Sequence, residues 1–257
     1  MNYKCQYLIM AVLLLVTIQV SEGQIIEQGS SPETVTFVQA YPVDATNRTS
    51  SKLSRMSLML DAGYNWRTAK ISDDLNDFQK HLVKQIKSGF QWNGSWSYYF
   101  GKKKLCGVGL KFQQFLVSNE TYGEDRDTGK TGVLRFADRI TYIGPAYMMQ
   151  LPLGKSNFLF DICGSIGYIG YKSKQSFVDE KVTVSGATVG VHSAVGLSYK
   201  ITSKWAIGCK MSATNGALFE YTLTDMYGQK TTEKFGDNSA ESLAQLSISF
   251  GIRHYIN

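Results

Sequence analysis

From Leu53 onward the chain alternates apolar and polar side chains with a period of two, again and again until it ends. That period belongs to a strand, whose successive side chains leave opposite faces. Eight runs are legible. Met56, Leu58, Leu60, Ala62, Tyr64 and Trp66 alternate with Ser57, Met59, Asp61, Gly63 and Asn65. Phe90, Trp92, Trp96, Tyr98 and Phe100 alternate with Gln91, Asn93, Ser95 and Ser97, and Cys106, Val108, Leu110 and Phe112 with Gly107, Gly109 and Lys111. A fourth run, about residues 134–151, has ambiguous parity and holds Gly144-Pro145, which predicts a bulge. The last four place Phe158 to Tyr168, Val189 to Tyr199, Trp205 to Met211 and Leu246 to Ile252 on one face. Asp161, Cys163 and Ser165, then Gly190, His192 and Ser198, then Gly208, Lys210 and Ser212, then Ser247, Ser249 and Arg253 fall on the other.

The connections alternate in length. Residues 67–87, 119–131 and 222–240 are long and 173–181 intermediate, whereas 101–104, 154–157 and 202–204 are short. Tight turns at one end and long loops at the other are the pattern of an up-and-down outer-membrane barrel with both termini on the periplasmic side. No Pro occurs after residue 152, as suits a closed sheet that uses every strand N–H.

A soluble eight-stranded barrel would turn its apolar face inward and carry many Lys and Glu outside. Here the polar face is small and nearly uncharged, as Gln91, Asn93, Ser95, Ser97, Ser247 and Ser249 show, which suits a crowded interior. The apolar face ends in aromatics: Tyr64, Trp66 and Phe90 on one rim, Tyr98, Phe100, Phe158, Tyr199 and Trp205 on the other. Such girdles mark membrane interfaces. The expected fold is therefore all-β, an eight-stranded antiparallel transmembrane β-barrel spanning residues 53–257.

The amino terminus reads as an address. Residues 7–18 form a mostly apolar run too short to span a bilayer, and Ser21-Glu22-Gly23 follows with small residues where a signal peptidase reads. Residues 1–23 are expected to be a cleaved secretory signal and 24–52, polar with Pro32 and Pro42, a periplasmic leader with a short strand at 35–38. The expected location is the outer membrane. Past the signal, Cys106, Cys163 and Cys209 are odd in number and widely spaced, which predicts small apolar strand residues rather than a disulfide framework or a metal site. The sequons at Asn47, Asn93 and Asn119 read as chance matches.

Gly63-Tyr64 before Arg67-Thr68-Ala69-Lys70-Ile71-Ser72-Asp73-Asp74-Leu75, then Lys87-Ser88-Gly89-Phe90, Gly107-Val108-Gly109-Leu110-Lys111, Ile143-Gly144-Pro145 and Gly167-Tyr168 resemble the small outer-membrane β-barrel proteins of Gram-negative bacteria. In texture they are similar to the Bacteroidota-type, PorT-like barrel domain. The resemblance covers about residues 53–257 and implies partnership with the outer-membrane assembly machinery. It carries no catalytic motif. Many such barrels end in an aromatic residue, whereas this chain ends Tyr255-Ile256-Asn257.

Three features remain as candidate sites. The interior face carries Asp61 and Asp161 against Lys111, Lys210 and Arg253, which predicts a salt-bridged plug in a lumen only wide enough for side chains. An ion pathway, and with it a narrow pore or transporter, is the alternative. Ile71, Leu75, Phe78, Leu82 and Ile86 recur at helical spacing, with Ser72 as N-cap and Gly89 as stop, which predicts a short amphipathic helix packed over the barrel mouth or touching lipopolysaccharide or a partner protein. His192, the interior-facing histidine, stands beside Ser193, the pair a lipid-modifying outer-membrane enzyme would use. Adjacent strand residues point to opposite faces, and no acidic third member stands at a telling spacing, so a structural role is expected and no enzyme. No nucleotide fingerprint precedes a helix, and no cofactor is expected. The net charge of +6 fits loops near anionic lipid and lipopolysaccharide better than nucleic acid, for which no basic helix or stripe exists. Together these predict a non-enzymatic envelope component that acts through its loops on lipid or on an extracellular or periplasmic protein.

Overall fold

In the computed structural model the described residues are 53–69, 77–124, 131–154, 156–177, 180–235 and 240–256. The expected signal, leader and short strand at 35–38 lie outside them. Residues from Ser54 onward form one unit. Its elements in chain order are β1 (Met56–Arg67), α1 (Asp77–Ile86), β2 (Ser88–Phe100), β3 (Cys106–Glu124), β4 (Thr131–Pro152), β5 (Phe158–Phe177), β6 (Glu180–Lys200), β7 (Trp205–Leu218), β8 (Glu220–Thr224), β9 (Lys230–Lys234), β10 (Glu241–Ser242) and β11 (Gln245–Ile256).

Strands β1 to β7 and β11 pair antiparallel with their neighbours, and β11 pairs with both β7 and β1, which closes a ring of eight. Stepping across the ring through paired residues, the path runs Ser57, Ser97, Gly109, Ala146, Ser165, His192, Thr214, Gln245 and back to β1 at Arg67, ten residues beyond its start. With a rise of ~3.3 Å per residue and strands ~4.8 Å apart, that stagger tilts the strands by about 40°. Each residue along a strand then advances about 2.5 Å along the barrel axis.

The ring turns its apolar set outward. Leu58, Leu60, Tyr64 and Trp66 of β1 and Leu246, Ile248, Phe250 and Ile252 of β11 are exposed, while Ser57, Asp61, Asn65, Ser247, Ser249 and Arg253 on the opposite parity are buried. Apolar residues left outside and polar residues enclosed is the inverse of a water-soluble barrel.

Three expectations are corrected. The bulge at Gly144-Pro145 does not form: β3–β4 and β4–β5 keep one register on either side of it. Proline only leaves out one ladder bond, and its carbonyl accepts a hydrogen bond from Ser165 Oγ (2.7 Å). The parity of β4 was obscure because its inward face also carries apolar residues, Ile140, Tyr142, Ala146 and Met148, all buried. Second, the expected loops at residues 119–131 and 173–181 are mostly strand. Pairing runs to Glu124 opposite Thr131 and to Phe177 opposite Glu180. Third, the expected loop at residues 222–240 carries most of the β8–β9 hairpin, which begins at Glu220 and extends the sheet from β6. In these stretches neither face carries the apolar set, so the alternation fades while the backbone pairing continues.

At the other end, turns at residues 101–105, 153–157 and 201–204 link the strands. Gly101 (φ 78°) and Gly154 (φ 64°) take left-handed conformations that favour glycine. Thr202 Oγ1 accepts from the backbone N–H of Lys204 (3.2 Å) and Trp205 (3.0 Å).

Candidate functional site

The lumen is packed in layers. At the long-connection end, Phe115, Ile140, Tyr142, Ile169, Leu218 and Leu243 form a buried apolar cluster, with Val117, Tyr171, Tyr221 and Phe235 against it. The cluster is assembled from four barrel strands and the segment just before β11. Beside it Arg67 pairs with Glu241 (2.7 Å) and stands 3.6 Å from Asp138. Its guanidinium lies 5.9 Å from the centre of the Tyr171 ring. In the hairpin above, Tyr221 donates to Glu233 (2.7 Å), a contact that holds its phenol above the ordinary value.

Below the cluster lies a mesh of amides and hydroxyls. Asn65 Nδ2 donates to Gln91 and to Gln245 (both 2.7 Å), Gln91 Nε2 donates to Ser247 (2.7 Å), and Ser247 meets Ser212 (2.7 Å). Thr214 joins Gln113 (3.3 Å) to His192 Nδ1 (2.9 Å). One layer down, Lys210 Nζ pairs with Asp61 (2.6 Å), whose other oxygen accepts from Asn93. Nearest the short turns, Arg253 pairs with Asp161 (2.7 Å), which also accepts from Ser198. Buried Tyr99 and Tyr255 close that end, with Lys200 Nζ 5.0 Å from the centre of the Tyr255 ring.

The five interior charges expected from the sequence thus sit together but not as one balanced set. Two ion pairs take Asp61, Asp161, Lys210 and Arg253, and Lys111 is left over. It is 1% exposed, and its Nζ has no hydrogen-bond partner among the described residues. A cavity of about 30 Å³ lies between these layers, lined among others by Lys111, Lys210, Arg253, Asp161, Cys163 and His192.

His192 is buried and Ser193 lies on the opposite parity of β6, so the two form no nucleophile–base pair. No group of three His, Cys, Asp or Glu residues that could hold a metal ion occurs among the described residues. Cys106, Cys163 and Cys209 form no disulfide among the described residues.

The expected girdle residues are all exposed and stand at two levels: Tyr64, Trp66 and Phe90 in the upper half, Tyr98, Phe100, Phe158, Tyr199 and Trp205 beside the short turns. Trp92 and Tyr168, both exposed, lie at the upper level as well. By the axial advance per residue the two levels are about 25 Å apart. Helix α1 (Asp77–Ile86) covers the last three positions of the expected helical stripe, Phe78, Leu82 and Ile86. Ile71, Ser72 and Leu75 lie outside the described residues, as do the side chains of Phe78 and Leu82, while Ile86 is half-buried.

Sequence reasoning missed two groupings. The Arg67–Asp138–Glu241 cluster had one signal, since Arg67 continues the inward parity of Asp61 and Asn65; Glu241 had none. The second is basic and outward-facing. Arg139 of β4 pairs across the strand with Lys172 of β5, and Lys174 lies two residues farther on. All three are exposed and, among the described residues, make no ion pair. Farther up, exposed Arg135 and Glu120 compensate each other (2.9 Å).

A closed ring with an apolar exterior and an ion-paired interior is the architecture a lipid-embedded barrel requires. The family model described as the outer membrane protein β-barrel domain matches residues 36–253. The chain belongs to this family. As an outer-membrane β-barrel it meets lipid with Leu58, Leu60, Val108, Leu110, Ile207 and Phe250, and encloses its polar residues. It shares its fold with a major outer membrane protein from Thermus thermophilus, at 12% identity and a TM-score of 0.52 over 79% of this chain and 99% of that one. Neisserial surface protein A aligns at 11% identity and a TM-score of 0.47, over 79% of this chain and 98% of that one. No curated protein sequence matches this barrel.

Proposed function

We propose that this outer-membrane barrel is a non-conducting, non-enzymatic surface component whose strand extensions rest on anionic lipopolysaccharide headgroups. The observation that carries the reading is the basic cluster of Arg139, Lys172 and Lys174. Like charges side by side on paired strands repel one another, and exposed ones persist where an external anion offsets them. Ile143 and Tyr168 stand four residues below Arg139 and Lys172 on the same outward faces, so the cluster lies about 10 Å above the upper aromatic level. With the two aromatic levels at the membrane interfaces, that height is where lipid phosphates sit. The long-connection end then faces the exterior, and the short turns face the periplasm. Ion pairs and apolar residues fill the lumen, which supports a role at the surface rather than in transport.

The test uses the refolded full-length barrel in vesicles with and without lipopolysaccharide. The triple charge reversal Arg139→Glu, Lys172→Glu and Lys174→Glu should lower lipopolysaccharide retention, with loss of its salt dependence and little change in unfolding midpoint. Equal retention by the variant would remove the basis of the proposal.

A further inference from the structure

Around its central cavity the lumen sets three buried cations, Lys111, Lys210 and Arg253, against two carboxylates, Asp61 and Asp161. Lys210–Asp61 and Arg253–Asp161 are one-to-one pairs at 2.6 and 2.7 Å. Lys111 stands beside the first pair with its ammonium unpartnered among the described residues, buried at half the height of the barrel. A buried ammonium without a counter-charge is strongly disfavoured. Yet the Lys111 side chain is directed into a cavity rather than up to either mouth, and that cavity is also lined by Lys210, Arg253 and His192. His192 Nε2, likewise buried, has no hydrogen-bond partner among the described residues. The Thr214 hydroxyl donates to Gln113 (3.3 Å), so His192 Nδ1–H donates to Thr214 (2.9 Å) and Nε2 of the neutral ring carries a lone pair, leaving Lys111 as the cavity's free donor.

We propose that this cavity binds a single halide-sized monovalent anion, chloride under ordinary conditions, with Lys111 Nζ as its principal partner. The chemistry and the size agree. The wall carries three cations, Lys111, Lys210 and Arg253, against one carboxylate; with Asp61 counted behind Lys210, one positive charge is left over. Asp161 is the one carboxylate on that wall, and Arg253 neutralises it. A volume of about 30 Å³ has room for one or two water-sized species, which suits a halide. The anion makes the interior electrically neutral and belongs to the folded barrel, so it stabilises by mass action. This inference rests on the filled lumen alone and stands apart from whether the outer face binds lipopolysaccharide.

The experiment uses the full-length barrel refolded in detergent. Thermal unfolding is compared in sodium bromide or chloride and in sodium gluconate at equal ionic strength, and crystals grown in bromide are searched for anomalous bromine signal. The expected result is a bromine peak in the lumen beside Lys111. Above saturation, the melting temperature should rise by about 3–5 °C per tenfold increase in halide, with no such rise in gluconate. Lys111→Met should abolish the halide dependence. Lys210→Met should abolish it too, because Lys111 is then needed by Asp61. Identical melting in halide and gluconate together with an empty lumen in the bromide crystals would overturn the proposal. So would a halide effect that survives Lys111→Met. If Lys111→Met does not refold, the bromine map of the unaltered protein decides.

Discussion

The two lumen pairs differ in what stands behind them, and this sets an order of stability losses. Asp61 has a 1% exposed carboxylate held by Lys210 and Asn93, with Lys111 close enough to act on it electrostatically. Asp161 has Arg253 as the one cation within ion-pair distance among the described residues. Removing one partner of a buried pair costs about 3–5 kcal/mol, because a charge is left uncompensated. Arg253→Met falls under that rule. Since the Asp161 side chain is 14% exposed and keeps its Ser198 hydrogen bond, the lower end applies, about 3 kcal/mol. That is roughly a hundredfold in the folding equilibrium. Lys210→Met falls short of the rule, since Lys111 can turn to Asp61, and about 1–2 kcal/mol is expected. Urea-induced unfolding from lipid vesicles, followed by the fluorescence of the four tryptophans, measures both. The double variant Arg253→Met, Asp161→Leu should recover most of the loss. The reasoning is refuted if Lys210→Met costs as much as Arg253→Met, or if Arg253→Met costs less than about 0.5 kcal/mol, the range of an ordinary surface change.

Other outcomes follow from the same layers. Phe115→Ala removes a fully buried ring from the apolar cluster and should cost about 3–5 kcal/mol, read in the same unfolding assay. Single cysteines at Asp225 in the hairpin turn and at Glu124 should react on intact cells with a membrane-impermeant maleimide, and one at Lys102 should not; the reverse pattern would invert the barrel. Glu233→Gln should let the Tyr221 phenol titrate at lower pH, toward its ordinary value, seen in an ultraviolet titration against Tyr221→Phe.

The barrel wall was legible in the sequence because each strand separates lipid from a polar lumen, and that difference imprints a period of two. Where the difference vanishes, so does the signal. Residues 119–124 and 173–177 pair as regularly as the rest, but with neither face carrying the apolar set they read as loop. Within β4 the inward Ile140, Tyr142 and Met148 match the apolar outward face, which hid the parity and suggested a bulge. The interior charges were likewise visible one by one, while their pairing was not. Lys210 meets Asp61 and Arg253 meets Asp161 across the lumen, at separations of 149 and 92 residues. The ten-residue stagger of the ring fixes those meetings, and no local pattern encodes it. The surplus on Lys111 could be counted in the sequence, but which charge would be left over could not.

The account stands on a lumen closed by the Phe115 cluster, the amide mesh and the two ion pairs. Single-channel recording of the full-length barrel in a planar lipid bilayer tests that most directly. The filled lumen predicts a silent membrane, with no steady current steps under an applied voltage. Reproducible current steps whose size changes on substituting Lys210 or Arg253 would show a continuous aqueous path and contradict it.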